Sequence, residues 1–171
     1  LERVFRKAAK RTDFIFTTPG AYLSAHKEQA FPSAAPVSSS WGEGGYFETW
    51  TSIENNWVYL ELQKRSEQLA RFVNIFEGNR GDLPDQTVTH RQRCIQLMTK
   101  ELLLAQSSDW GFLMKNEPSR EYAEKRTRDH FGNFDRIWSA SLQSDDEVLD
   151  EVEQLNPVFS DLPWNMYEPY V

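Results

Sequence analysis

The chain has 171 residues, a net charge of −7, 39% hydrophobic residues and 13% aromatic residues, with six Trp. That is the composition of one globular domain with a real core, and its acidic balance argues against a nucleic acid partner or a membrane surface, both of which call for basic patches. Cys94 is the only cysteine, which leaves no intrachain disulfide and no cysteine metal site, fits a reducing, cytoplasmic setting, and accompanies a chain with no apolar run of membrane-spanning length.

LERVFRKAAKR (1–11) reads as the end of an amphipathic helix. Phe14-Ile15-Phe16 reads as a short buried strand. No other run offers it a convincing partner, and a lone strand leaves its backbone groups unpaired. The expectation is therefore that the chain is the C-terminal part of something larger. Thr18, with Pro19 at the first helical position, starts a short helix over 18–26. From Glu28 to Ser40 the chain is rich in Pro, Ala and Ser and reads as an extended connector.

The connector leads into SSSWGEGGYFETW (38–50), where three glycines alternate with four large aromatics and two carboxylates. Glycines suit tight turns and close approach, whereas aromatics favour burial. Two readings stay open for Trp41 and Trp50: flat platforms for the apolar faces of sugar rings, or a buried structural knot. Glu43 and Glu48 have the residue type of an acid/base pair, but nothing in the spacing makes them face each other, and solvated or loop-bonding glutamates are the plainer reading.

Beyond the loop the pattern is helical. Asn55 and Asn56 can cap a helix to about Phe76, with Val58, Leu62, Leu69, Phe72, Val73 and Phe76 on one stripe. Gly78 reads as its stop and 81–84 as a turn. A second long helix spans 86–106. Its end, Leu102 to Ala105, is apolar all round and should be deeply buried. SSDWGFLMK (107–115) breaks or kinks it, with Asp109 either capping the next short helix or pointing into a cleft. Pro118 and Ser119 open a third long helix to about Leu142. Asp145 caps a short acidic helix to about Leu155, and the aromatic tail NPVFSDLPWNMYEPYV (156–171) should be irregular but packed down. His26, His90 and His130 have no metal-like or triad-like spacing. His90 and His130 fall in charged stretches and read as surface residues.

The sum is a mainly α fold: a bundle of three long helices plus short helices, with a Gly/Trp-rich loop and one short N-terminal strand. The segments divide as 1–26, 27–54 (connector and loop) and 55–171 (bundle and tail). The residues alone show no self-sufficient catalytic constellation, no metal site and no cofactor motif.

SSWGEGGYFETW (39–50), NNWVY (55–59), KELLLAQSSDWGFLMK (100–115) and EYAEKRTRDHFGNFDRIW (121–138) occur in that order, after IFTTPGAYL (15–23). Together they resemble the C-terminal helical region of glycoside hydrolase family 57 α-glucan branching enzymes. The resemblance implies a parent enzyme with a (β/α)7 barrel, of which residues 1–26 and the strand would be the end. That barrel carries a Glu nucleophile and an Asp acid/base, both upstream of the first residue here. Such enzymes cleave an α-1,4 link and transfer the chain to a 6-hydroxyl, a retaining double displacement with sugar as acceptor. The chain itself would be inactive. The partners implied are α-glucan and the catalytic barrel. The resemblance maps Trp41 and Trp50 onto the glucan-binding groove, and Asp109 and Trp110 onto its neighbourhood. Gly111 stands where the family commonly has Pro or another residue, which would loosen the 109–114 turn. A free-standing protein-interaction module and a domain of a family 57 glucan hydrolase are the alternatives.

Overall fold

The structure, a computed structural model, describes residues 1–30 and 32–166. It divides into two units, Leu1–Ser38 and Ser39–Val171. The first holds two short helices, α1 (Glu2–Ala8) and α2 (Pro19–Ala25), neither of which buries a residue. Thr18 caps α2 as expected, its hydroxyl accepting from Ala21 N at 3.1 Å. The expected strand at 14–16 does not form, and no strand occurs among the described residues. The physical reason is the missing partner: without a second strand the backbone gains nothing from a pleat. The segment is instead held by ring contacts, with Phe16 against Phe5 at 5.2 Å and against Phe14 at 5.6 Å, and Ile15 stays 89% exposed.

The second unit is the bundle. Its long helices are α3 (Asn56–Asn79), α4 (Asp85–Ala105) and α6 (Arg120–Gln143). The shorter α5 (Ser108–Lys115) and α7 (Asp146–Leu155) complete it. α3 runs through Gly78, not up to it, and a 3₁₀ turn at Arg80–Asp82 makes the corner. The periodic stripes read from the sequence form the core. Leu69, Val73 and Phe76 of α3 meet Ile95, Met98 and Leu102 of α4 and Phe134 and Ile137 of α6, with Leu149 and Val152 of α7 closing the side. Asp145 caps α7, accepting from Glu147 N at 3.1 Å and Val148 N at 3.4 Å. Lys100 sits at the other end of α7, where its Nζ donates to the carbonyls of Glu153 and Asn156. That places a cation on the negative end of the helix.

At the end of α4, Leu102 and Ala105 are buried while Leu103 and Leu104 are half-buried. Ala105 lies in a second small core with Val58, Met114, Ala123 and Phe131. α5 folds back beneath the apolar end, so it is covered from within the bundle. Of the tail, residues 156–166 are irregular and packed down: Trp164 stands edge-on to Phe76 at 5.8 Å and carries the Arg80 guanidinium over its face. Tyr167 to Val171 lie outside the described residues.

Two surface expectations fail. His90 and His130 are buried, and each is paired across helices: His90 Nδ1 lies 2.8 Å from Asp146 and His130 Nδ1 lies 2.7 Å from the buried Glu101. The inward stripes of the two helices include them: His90 lies with Cys94 and Leu97 on α4, and His130 with Thr127 and Phe134 on α6. Arg65 is the third buried polar anchor. It donates to Asp135 at 2.6 Å and to Glu61, and lies over the Phe131 ring at 4.6 Å. Burial opposes its charge, but the two carboxylates outweigh burial and raise its pKa.

Two outcomes follow from this core. Phe134 is fully buried, so Phe134→Ala should cost about 3–5 kcal/mol in urea unfolding. Burial, helped by Asp146, pushes the Cys94 thiol up to about 12. Native protein at pH 8 should therefore be inert to a disulfide reagent, and the same thiol should titrate fully in denaturant.

Candidate functional site

The Gly/Trp loop is a fixed structure. A one-turn 3₁₀ helix at Glu43–Gly45 sits in its middle, preceded by Gly42 at φ 114°. No L side chain fits at Gly42, because a Cβ there would lie 2.4 Å from Thr49 Oγ1. Phe47 also has positive φ, 72°, which is strained for a bulky residue. The surroundings hold it: Ser40 Oγ accepts from Phe47 N at 2.7 Å, and the Phe47 carbonyl accepts from Trp50 N and Thr51 Oγ1, both at 2.9 Å. Glu48 turns back on the loop, accepting from Tyr46 N at 3.1 Å, so it is a loop-bonding glutamate. The Glu43 side chain lies outside the described structure.

Asn55 joins this loop to the bundle. It is 1% exposed. Its Oδ1 accepts from Ser52 N at 2.9 Å, and its Nδ2 donates to the Thr49 carbonyl at 2.8 Å and to the Gly111 carbonyl of α5 at 3.0 Å. The residue expected to cap α3 thus precedes the helix but spends its amide on the loop and on α5; it makes no side-chain cap.

The four residues mapped from the sequence have distinct environments. Trp41 is 73% exposed, with its ring edge-on to Trp50 at 6.3 Å and tilted against Phe112 at 5.5 Å. Trp50 is half-buried and anchored: Nε1 donates to the Ser108 carbonyl at 3.0 Å, and Tyr59 OH donates to its backbone carbonyl at 2.6 Å. Trp110 is also half-buried. It donates to the Leu104 carbonyl at 2.7 Å, closing the end of α4, and its ring meets Tyr122 and His130. Asp109 is exposed in the first turn of α5, where a carboxylate suits the positive helix end. It is not the cap; that position is Ser107.

The fold therefore brings Trp41 and Trp50 together, and sets Trp50 and Trp110 on one groove of about 120 Å³ that also holds Tyr59 and Leu62. Asp109 is not among the groove's lining residues. Gly111 does not loosen anything: it is inside regular α5, and a Cβ on it would lie 3.2 Å from Trp50 Cδ1. Its small size lets the indole lie on the helix. Phe112, Tyr59 and Asn55 belong to the arrangement and were not singled out for it from the sequence. Phe112 could have been found, since it lies two residues past Trp110 in the same broken segment.

Residues 61–167 match the family described as 1,4-alpha-glucan branching enzyme, C-terminal. The chain belongs to this family. It is 27% identical over 126 residues to the 1,4-alpha-glucan branching enzyme of Thermococcus kodakarensis, a match covering 70% of this chain and 18% of that protein. Among solved structures it resembles the alpha-amylase AmyC from Thermotoga maritima, with 26% identity and a TM-score of 0.67 over 99% of this chain and 30% of that one. The GH57-type branching enzyme from Pyrococcus horikoshii has the same fold, with a TM-score of 0.67 at 24% identity over 96% of this chain and 31% of that one. The chain thus spans less than a third of the relatives it matches. Among the described residues, no helix is long and apolar enough to cross a membrane.

The Asn55 contacts can be tested directly. Asn55→Ala would strip Ser52 N and the Thr49 carbonyl of their side-chain partner and cut the tie to the Gly111 carbonyl. A buried polar group left without its partner costs roughly 1–3 kcal/mol. The variant should melt lower than the wild type and lose the near-ultraviolet circular dichroism of the Trp41–Trp50 pair before the helical signal falls.

Proposed function

We propose that this chain serves an α-glucan branching enzyme of glycoside hydrolase family 57 as its C-terminal domain, and that Trp41 presents an indole face to the glucan. The observation that carries the site reading is the pairing of exposure with rigidity. Trp41 is 73% exposed, yet it is backed by Trp50 and Phe112 on a loop with its own hydrogen bonds. A ring held in water costs little further ordering on binding, which is what a stacking platform for an apolar sugar face requires. In this reading Trp50 and Trp110 are the supporting walls, and the exposed Asp109 carboxylate, in the first turn of α5, would accept from a sugar hydroxyl.

In such an enzyme the chemistry belongs to a catalytic barrel. Its Glu attacks the anomeric carbon as its Asp protonates the departing 4-oxygen; the 6-hydroxyl of an acceptor chain then gives its proton to that Asp and takes the glycosyl group. This domain holds neither carboxylate in that reading. It supplies a wall that favours a sugar acceptor over water. The hydrolase reading has the fold of AmyC on its side; the family match and the curated relative both favour branching.

The two indoles separate in one comparison made in the full-length enzyme. Trp41→Ala should leave the melting temperature nearly unchanged and weaken glucan binding by roughly tenfold, about 1–2 kcal/mol of lost stacking, with a larger share of transfer events lost to hydrolysis. Trp50→Ala should instead cost about 3 kcal/mol of stability, read as a clear fall in the melting temperature. If Trp41→Ala binds glucan and branches normally, the platform assignment fails while the family remains.

A further inference from the structure

A second groove lies on a different face of the bundle, between α3, the start of α4 and the end of α6, with a volume of about 690 Å³. Its floor is Phe72 and the half-buried Trp138, edge-on at 5.5 Å, and its sides are the exposed Ile75 (62%) and Leu142 (70%). Three cations line it, Lys64, Arg71 and Arg91, and no carboxylate does. On a chain of net charge −7 that local sign is the reverse of the whole. Arg71 is paired with Glu67 at 3.4 Å on an exposed site, an interaction that contributes little. Lys64 and Arg91 are in no ion pair among the described residues.

We propose that this groove docks an acidic amphipathic helix from a partner protein. The apolar floor supplies what an unpartnered surface rarely keeps, and the cations select the sign of the partner. Their spacing decides between a small anion and a helix. Lys64 and Arg71 lie seven residues apart on one face of α3, roughly 10 Å, too far for one phosphate or carboxylate to bridge. Acids placed two turns apart along a docked helix match that interval, with apolar anchors between them reaching Phe72 and Trp138. A second copy of this chain does not offer such a helix. Its acidic helix, α7, turns Leu149 and Val152 inward and leaves Leu155, at its last position, as its one exposed large apolar residue, too little to fill the floor.

The test uses the full-length protein and a labelled synthetic peptide of about 16 residues, roughly 24 Å as a helix, with Leu on one face and Glu on both flanks. A twin carries Lys for Glu. Fluorescence anisotropy should show saturable binding of the Glu peptide that weakens as salt rises, and little binding of the twin. The double reversal Arg71→Glu/Arg91→Glu should lose at least about tenfold in affinity for the Glu peptide, with circular dichroism and melting unchanged. Equal binding of the two peptides, indifference to the reversal, or no binding up to about 1 mM would overturn the proposal. So would displacement of the peptide by maltoheptaose, which would make the groove a sugar site, or a dimer abolished by the same reversal, which would make the occupant a second copy. None of these outcomes bears on the Trp41 platform.

Discussion

The Gly/Trp loop depends on the Asn55 side-chain amide. Three hydrogen bonds from one buried group join the loop at Ser52 and Thr49 to α5 at Gly111. An asparagine suits the position because it both accepts and donates twice, in a plane; an aspartate would accept only, facing two carbonyl oxygens. With Thr49 held, Gly42 can pass close behind it, and the chain can reverse to put Trp41 beside Trp50. The strained Phe47 conformation is held separately, because both its amide and its carbonyl are occupied by the loop itself.

Beneath the loop, the bundle is registered by polar groups as much as by apolar ones. Glu101 and His130 sit in contact between α4 and α6, with Asn133 adding a donor to the same carboxylate oxygen at 3.3 Å. Arg65 bridges α3 to α6 through Asp135. Sliding one helix by a single turn would bury these groups without partners, at several kcal/mol each. Apolar stripes alone are more forgiving, since a Leu or Phe can find another hollow. The end of α4 is fixed against α6 in this way; α5 is tied to it by Trp110 donating to the Leu104 carbonyl, and α5 is the surface on which Trp50 rests.

Much of the bundle was legible in the sequence because its signals are local. The stripe from Val58 to Phe76, the Asp145 cap and the break at 107–115 each follow from spacing within one element, and the boundaries of α3, α4 and α6 fall within a few residues of expectation. What was not legible is long-range. The spacing of His90 and His130 says nothing of Asp146 and Glu101, which stand 56 and 29 residues away. The segment at 14–16 has strand-forming residues, but strand formation is a property of a pair, not of a segment. The loop is the intermediate case. Its glycines and indoles were plain, whereas the distinction between an exposed Trp41 and an anchored Trp50 rests on Ser108, Tyr59 and Phe112, all contributed from elsewhere.

That distinction changes what the pair of indoles can do. Two equivalent platforms would each need an open face, and the loop would then have to stand away from the bundle, flexible and costly to order on binding. The observed arrangement gives the two rings unequal duties. Trp50 spends its N–H on the Ser108 carbonyl and one edge on Gly111, which makes it wall. Among the described residues Trp41 makes no hydrogen bond to the bundle and meets it through ring contacts, which fix its tilt while leaving most of its surface in water. Gly111 is the residue that permits this. A Cβ there would lie 3.2 Å from Trp50 Cδ1, so even one methyl would press on the indole by a few tenths of an ångström. The bare backbone of α5 at Gly111 is what lets Trp50 lie flat enough on the helix to back the exposed ring of Trp41.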